Sequence, residues 1–112
     1  MKIYDMHVHA FNSPADGDTL LAAMVEAGVY GGCVFSNWPK ESNPKEGTSF
    51  EERLEEVLTI CRAHEDRLFP VLWIHPAEPD ILKKLSMAVD AGIAAFKMIC
   101  TDYYVYDLSP CF

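Results

Sequence analysis

The sequence predicts an α/β fold made of four strand–helix units. Short apolar runs alternate with stretches of helical periodicity, glycine or proline marks the joins, and the repeat is roughly 30 residues. Such alternation implies a parallel sheet with right-handed crossovers, either doubly wound or part of a (β/α)₈ barrel. At 112 residues the chain is one domain at most, and it is under half of the about 250 residues that a whole barrel needs.

The first strand is expected over residues 2–9, where Ile3, Tyr4, Met6 and Val8 are apolar, and Phe11-Asn12-Ser13-Pro14 reads as the turn that ends it. Residues 18–27 follow as a helix with Leu20, Met24 and Ala27 on one face, Asp16 or Asp18 as cap and Gly28 as terminator. A second strand covers residues 29–35, and a polar loop with two prolines runs from Ser36 to Gly47. Thr48-Ser49-Phe50-Glu51 fits a capping box, with Thr48 as cap and Glu51 reaching back. The helix behind it carries Phe50, Leu54, Val57, Leu58 and Cys61 at helical spacing.

The third strand spans residues 68–74, with Pro70 near its edge, and His75-Pro76 closes it. Pro79 suits the first turn of a third helix, whose buried face is Ile81, Leu82, Leu85, Ala88 and Val89. Gly92 stops that helix, and residues 93–99 form a fourth strand.

Half of the residues are hydrophobic, so a real core can form. The net charge of −8 argues against nucleic acid or an anionic membrane as the main partner, and no stretch approaches the roughly 18 apolar residues of a membrane span. Met1 to Asp5 enters the first strand directly, without the apolar run of a signal peptide. Cys33, Cys61, Cys100 and Cys111 form no CxxC pair and no zinc-finger spacing. Reduced thiols and a cytoplasmic location are expected.

The strongest chemical signal is Asp5-Met6-His7-Val8-His9. Alternate side chains of a strand share a face, so His7 and His9 point the same way and can reach one metal ion. Asp5 lies one step deeper, where a carboxylate can orient a histidine ring or a metal-bound group. Alternating histidines also occur on ordinary surfaces; the C-terminal end of the first strand, where parallel α/β folds place their sites, is what points to a metal. Imidazole ligands suit zinc first, and also manganese, iron or nickel.

Lys97, near the end of strand four, is expected to face the interior with Ala95, and a buried ammonium there needs a carboxylate, a carbamate or a substrate anion. His75 ends strand three on the same rim as His9 and is a candidate for substrate contact or proton transfer, a loop histidine before proline being the equal alternative. His64 sits in a charged helix end and reads as a solvated terminus. Trp38, Tyr103, Tyr104 and Tyr106 fall in predicted βα loops, where aromatic side chains line pockets or simply pack.

Asp5-Met6-His7-Val8-His9 resembles the D-x-H-x-H motif that opens amidohydrolase-superfamily barrels. Phe69 to Pro76 looks like the third strand of the amidohydrolase-related branch, Ala91 to Ile99 like its fourth, and Tyr103-Tyr104-Val105-Tyr106-Asp107 like the aromatic, acidic loop that follows. The resemblance spans the whole chain; it is specific in the first motif and diffuse elsewhere. It implies the N-terminal (β/α)₄ portion of a TIM-barrel metal-dependent hydrolase acting on a small-molecule amide, ester or lactone, or a decarboxylase on the same scaffold. A divalent ion in such a site lowers the pKa of bound water to about 7 or polarises a carbonyl. The resemblance also implies that Lys97 stands where some subtypes carry a carbamylated, metal-bridging lysine, and that further ligands and an aspartate base come from later strands.

Two other enzyme families share part of the pattern. PHP phosphoesterases open with a similar HxH but expect Thr-Asp-His after strand two, where Phe35-Ser36-Asn37-Trp38 stands. TatD-like nucleases want a glutamate on strand four where Lys97 lies. Outside enzymes, the chain reads as a non-catalytic half-barrel that needs a second copy or its missing half, because an open sheet edge exposes backbone groups and apolar surface.

Overall fold

A computed structural model describes residues 1–9 and 16–99. The predicted turn at 11–14, the aromatic loop at 103–107, Cys100 and Cys111 lie outside the described residues. The elements run β1 (Tyr4–His9), α1 (Gly17–Glu26), β2 (Gly31–Phe35), α2 (Phe50–Arg62), β3 (Leu68–Trp73), α3 (Ile81–Ala91) and β4 (Ala95–Lys97). Every strand pairs in parallel with the next in sequence, giving the order β1-β2-β3-β4. Among the described strands that order never reverses, so the switch point of a doubly wound sheet is absent. A four-stranded parallel sheet alternating with helices results, and it is compatible with half of a (β/α)₈ barrel.

One face of the sheet is covered by helices. Leu21 and Met24 of α1, Val57, Leu58 and Cys61 of α2, and Ile81 and Ala88 of α3 bury against Val34, Leu68 and Leu72 of the strands in one cluster. Among the described residues, no helix is long and apolar enough to cross a membrane. Cys33 and Cys61 are free thiols, the first half-buried and the second buried.

The local chemistry corrects several expectations. The cap of α2 is Ser49, not Thr48: its hydroxyl accepts from the Glu52 N–H, and the Glu52 carboxylate accepts from the Ser49 N–H. Both pairs have capping-box spacing, and the buried Phe50 then falls at the first helical position. Asp16 caps α1 through the Thr19 N–H. In α1 the inward residues are Leu21 and the expected Met24, with Leu20 half-buried and Ala27 exposed at the C-cap.

Pro79 precedes α3, which begins at Ile81 behind a left-handed Asp80 (φ 55°). Leu82 and Val89 are exposed, because the sheet takes only the Ile81–Leu85–Ala88 stripe and these two lie one residue further round the helix. Pro70 sits within β3 rather than at its edge. Its carbonyl accepts the Ala94 N–H, so its missing N–H falls on the side where β4 starts only at Ala95. β4 itself is shorter than the predicted 93–99. His64 is not merely solvated: its Nε2 lies 2.7 Å from Asp18 and ties α1 to the end of α2.

Candidate functional site

β1 carries the histidines on the sheet face away from the helix-covered core. Tyr4 and Asp5 pair with Gly31 and Gly32, whereas Val8 and His9 pair with Val34 and Phe35. Three steps on β1 thus span two on β2, a bulge that interrupts strict alternation between Asp5 and Val8. Gly32 lets the strands approach here, because a Cβ at this position would stand 2.2 Å from the Asp5 carbonyl oxygen. His7, within the bulge, and His9, beyond it, lie on one face, their rings 4.6 Å and 5.6 Å from that of Phe35.

The two imidazoles converge, with Nε2 of His7 2.7 Å from Nε2 of His9. Two nitrogens sharing one tetrahedral zinc stand about 3.3 Å apart at Zn–N distances of about 2.0–2.1 Å, so the rings need to open by only about 0.6 Å. The donor chemistry therefore fits one end of a divalent-ion site. It does not complete one, since no group of three or more His, Cys, Asp or Glu side chains able to hold a metal occurs among the described residues.

Lys97 joins the pair from β4. Its partner on β3 is Trp73, in the register that also pairs Val71 with Ala95. The Lys97 Nζ lies 3.2 Å from His7 Nε2, 4.3 Å over the Trp73 ring and 4.7 Å over the Phe35 ring. Burial holds its ammonium below the ordinary lysine range. The His9 imidazole is likewise held low, first by burial and then by the charges of Lys97 and His7. Both effects favour the neutral imidazole, the form that ligates metals.

Asp5 is engaged differently from the ring-orienting role considered for it. Its carboxylate accepts the backbone N–H of His7 at 2.9 Å, fixing the bulge. It also adds to the burial that pushes the nearby Cys33 thiol up. His75 belongs to the turn after β3: its Nδ1 accepts the Ala77 N–H, and its own N–H donates to Glu78. Trp38 packs on Trp73 at 4.6 Å, so an indole pair walls the site on the side of the β2–α2 loop. The Trp73 indole N–H is buried and without a hydrogen-bond partner among the described residues.

Sequence reasoning missed the support beneath this rim. Arg53, fully buried on α2, donates to the carbonyls of Trp73 and Thr48 and to both oxygens of buried Glu78. Glu78 in turn holds the His75 N–H, and Lys84 stands 3.7 Å away. A signal existed: Arg53 occupies the apolar stripe of α2 between Phe50 and Val57, where a charge needs a buried partner.

No protein-family model matches this chain, and neither a curated protein nor a solved structure does.

Proposed function

We propose that the chain is the N-terminal (β/α)₄ part of a TIM-barrel, amidohydrolase-type hydrolase. On this reading His7 and His9 hold a divalent ion, zinc first, beside a small-molecule amide, ester or lactone. The observation that carries it is the convergence of two imidazole nitrogens at 2.7 Å, at the C-terminal end of the first strand of a parallel sheet. When bound, such an ion would supply an activated water or polarise a carbonyl.

The chain's own residues do the rest. Phe35 stacks on the His7 ring and packs at a tilt against that of His9. Asp5 pins the bulge that aims them. Trp73 and Trp38 form one wall of the site. Lys97 brings a positive charge to within 3.2 Å of His7 Nε2. Decarboxylation uses the same constellation and stays within the proposal.

The test is elemental analysis of freshly purified protein beside a His7→Ala, His9→Ala variant. Near-stoichiometric metal in the parent and little in the variant is expected; equal metal in both sinks the reading.

A second reading has its own support. Leu82, Met87 and Val89 of α3 and Met6 of β1 are exposed apolar side chains, as expected of a half-barrel whose site is finished by a partner or by further strands.

A further inference from the structure

The ammonium of Lys97 occupies an unusual position for a site built to take a cation. Its Nζ stands 3.2 Å from His7 Nε2, one of the two nitrogens that converge on the proposed ion. It is half-buried among the Phe35 and Trp73 rings. Among the described residues no carboxylate lies within 4.0 Å of it, since the ion pairs there involve Arg53, Arg62, His64 and Lys84. The nearby acid on β1, Asp5, is turned to the backbone of His7.

A half-buried charge without a counter-charge is costly. A divalent ion on His7 and His9 would add like charge within a few ångströms of it. Cation–π contacts with two rings solvate the ammonium but do not neutralise it. One kind of ligand answers both charges at once: an oxyanion, with one oxygen toward Lys97 and another toward the metal.

We propose that Lys97 makes metal binding at His7 and His9 depend on a bound oxyanion, so that the site takes anionic substrates and holds metal and anion cooperatively. The proposal rests on the metal reading above. Lys97 and the metal compete electrostatically for the space at His7 Nε2, and the anion converts that competition into a bridge. By linkage, the factor by which the anion tightens the metal is also the factor by which the metal tightens the anion. Carboxylates and phosphonates share the required chemistry.

The experiment is calorimetric titration of zinc into the metal-free chain in sodium perchlorate, sodium acetate or sodium methylphosphonate at equal ionic strength. The parent is run beside Lys97→Met, which keeps the stem and drops the charge, and Lys97→Gln. Each protein is first checked by circular dichroism, and if one variant is unfolded the other carries the comparison.

In the parent, acetate or methylphosphonate should tighten zinc about 5-fold or more over perchlorate. In perchlorate the Lys97 variants should bind zinc about 5-fold or more tighter than the parent, and added anion should gain them little. Whichever anion has the larger effect in the parent identifies the headgroup. Zinc binding that is no tighter in the variants, or an anion effect equal in all three proteins, overturns the proposal and leaves the metal reading standing. No zinc uptake by any of the three overturns both.

Discussion

One guanidinium nitrogen of Arg53 lies 2.9 Å and 2.8 Å from the two carboxylate oxygens of Glu78, and both side chains are at most 2% exposed. The other two guanidinium nitrogens of Arg53 reach the Trp73 and Thr48 carbonyls. One side chain thus joins the start of α2, the end of β3 and the turn that carries His75. Removing Glu78 leaves the Arg53 charge buried and unpaired, and removing Arg53 leaves buried Glu78 only its longer contact with Lys84 at 3.7 Å; either loss is about 3–5 kcal/mol. Arg53→Met and Glu78→Leu should each lower stability by that amount in urea denaturation. The double variant should cost less than the sum of the two, because no lone charge remains. Additive losses would show that the two groups are not energetically coupled.

The cap of α2 separates two neighbouring hydroxyls. Ser49 accepts the Glu52 N–H, so Ser49→Ala should cost about 1 kcal/mol. The Thr48 hydroxyl is buried and has no hydrogen-bond partner among the described residues, so Thr48→Val should be neutral or stabilising. Thermal unfolding of the two variants distinguishes them. A Thr48→Val loss as large as that of Ser49→Ala would mean that Thr48 is the cap after all.

Cys61 should be inert in the folded chain. Burial pushes its thiol up to about 12 from 9.0, and the thiolate is the reactive form. At pH 8 only about one such thiol in ten thousand is ionised. Iodoacetamide at that pH should leave Cys61 unlabelled in native protein and label it in urea. The raised pKa also fixes the sign of the alkaline response. Above about pH 9 the unfolded chain sheds this proton while the folded chain keeps it, so stability falls as pH rises toward 12. Rapid native labelling of Cys61 would contradict its buried place between α2 and the sheet.

Strand and helix order was legible because each element has its own local signature. Apolar runs such as Val71 to Ile74 stay buried, and Gly28 and Gly92 fall with positive φ beside the ends of α1 and α3. Strand alternation was enough to bring His7 and His9 together, and the alignment of four parallel strands adds Lys97. What escaped depends on one-residue shifts and long-range partners. The β1 bulge changes what Asp5 reaches, yet nothing in Asp5-Met6-His7 announces an extra residue in the ladder. Thr48 and Ser49 are both cap residues with a glutamate three positions on, so spacing alone could not choose between them. The partner of Arg53 lies 25 residues away in a loop, beyond the reach of periodicity.

These 112 residues by themselves should associate and should turn over substrate poorly. Leu82 and Val89 are 56% and 57% exposed on one side of α3, and Met87 is exposed on another side of that helix. Met6 on β1 is 68% exposed. Apolar surface of this kind on a helix flank and an edge strand favours burial against another chain. The described site offers two imidazoles, whereas catalytic zinc typically has about three protein ligands, and an open face lets in water that weakens the remaining electrostatics. Sedimentation of the parent should therefore show self-association that weakens in a Leu82→Glu, Val89→Glu variant. The new glutamate at position 82 falls in the first turn of α3, where a negative charge suits the helix. Turnover with added zinc on ester, lactone and amide panels should stay close to that of zinc alone. A monomeric parent with efficient turnover would show that the strands described here already hold a complete active site.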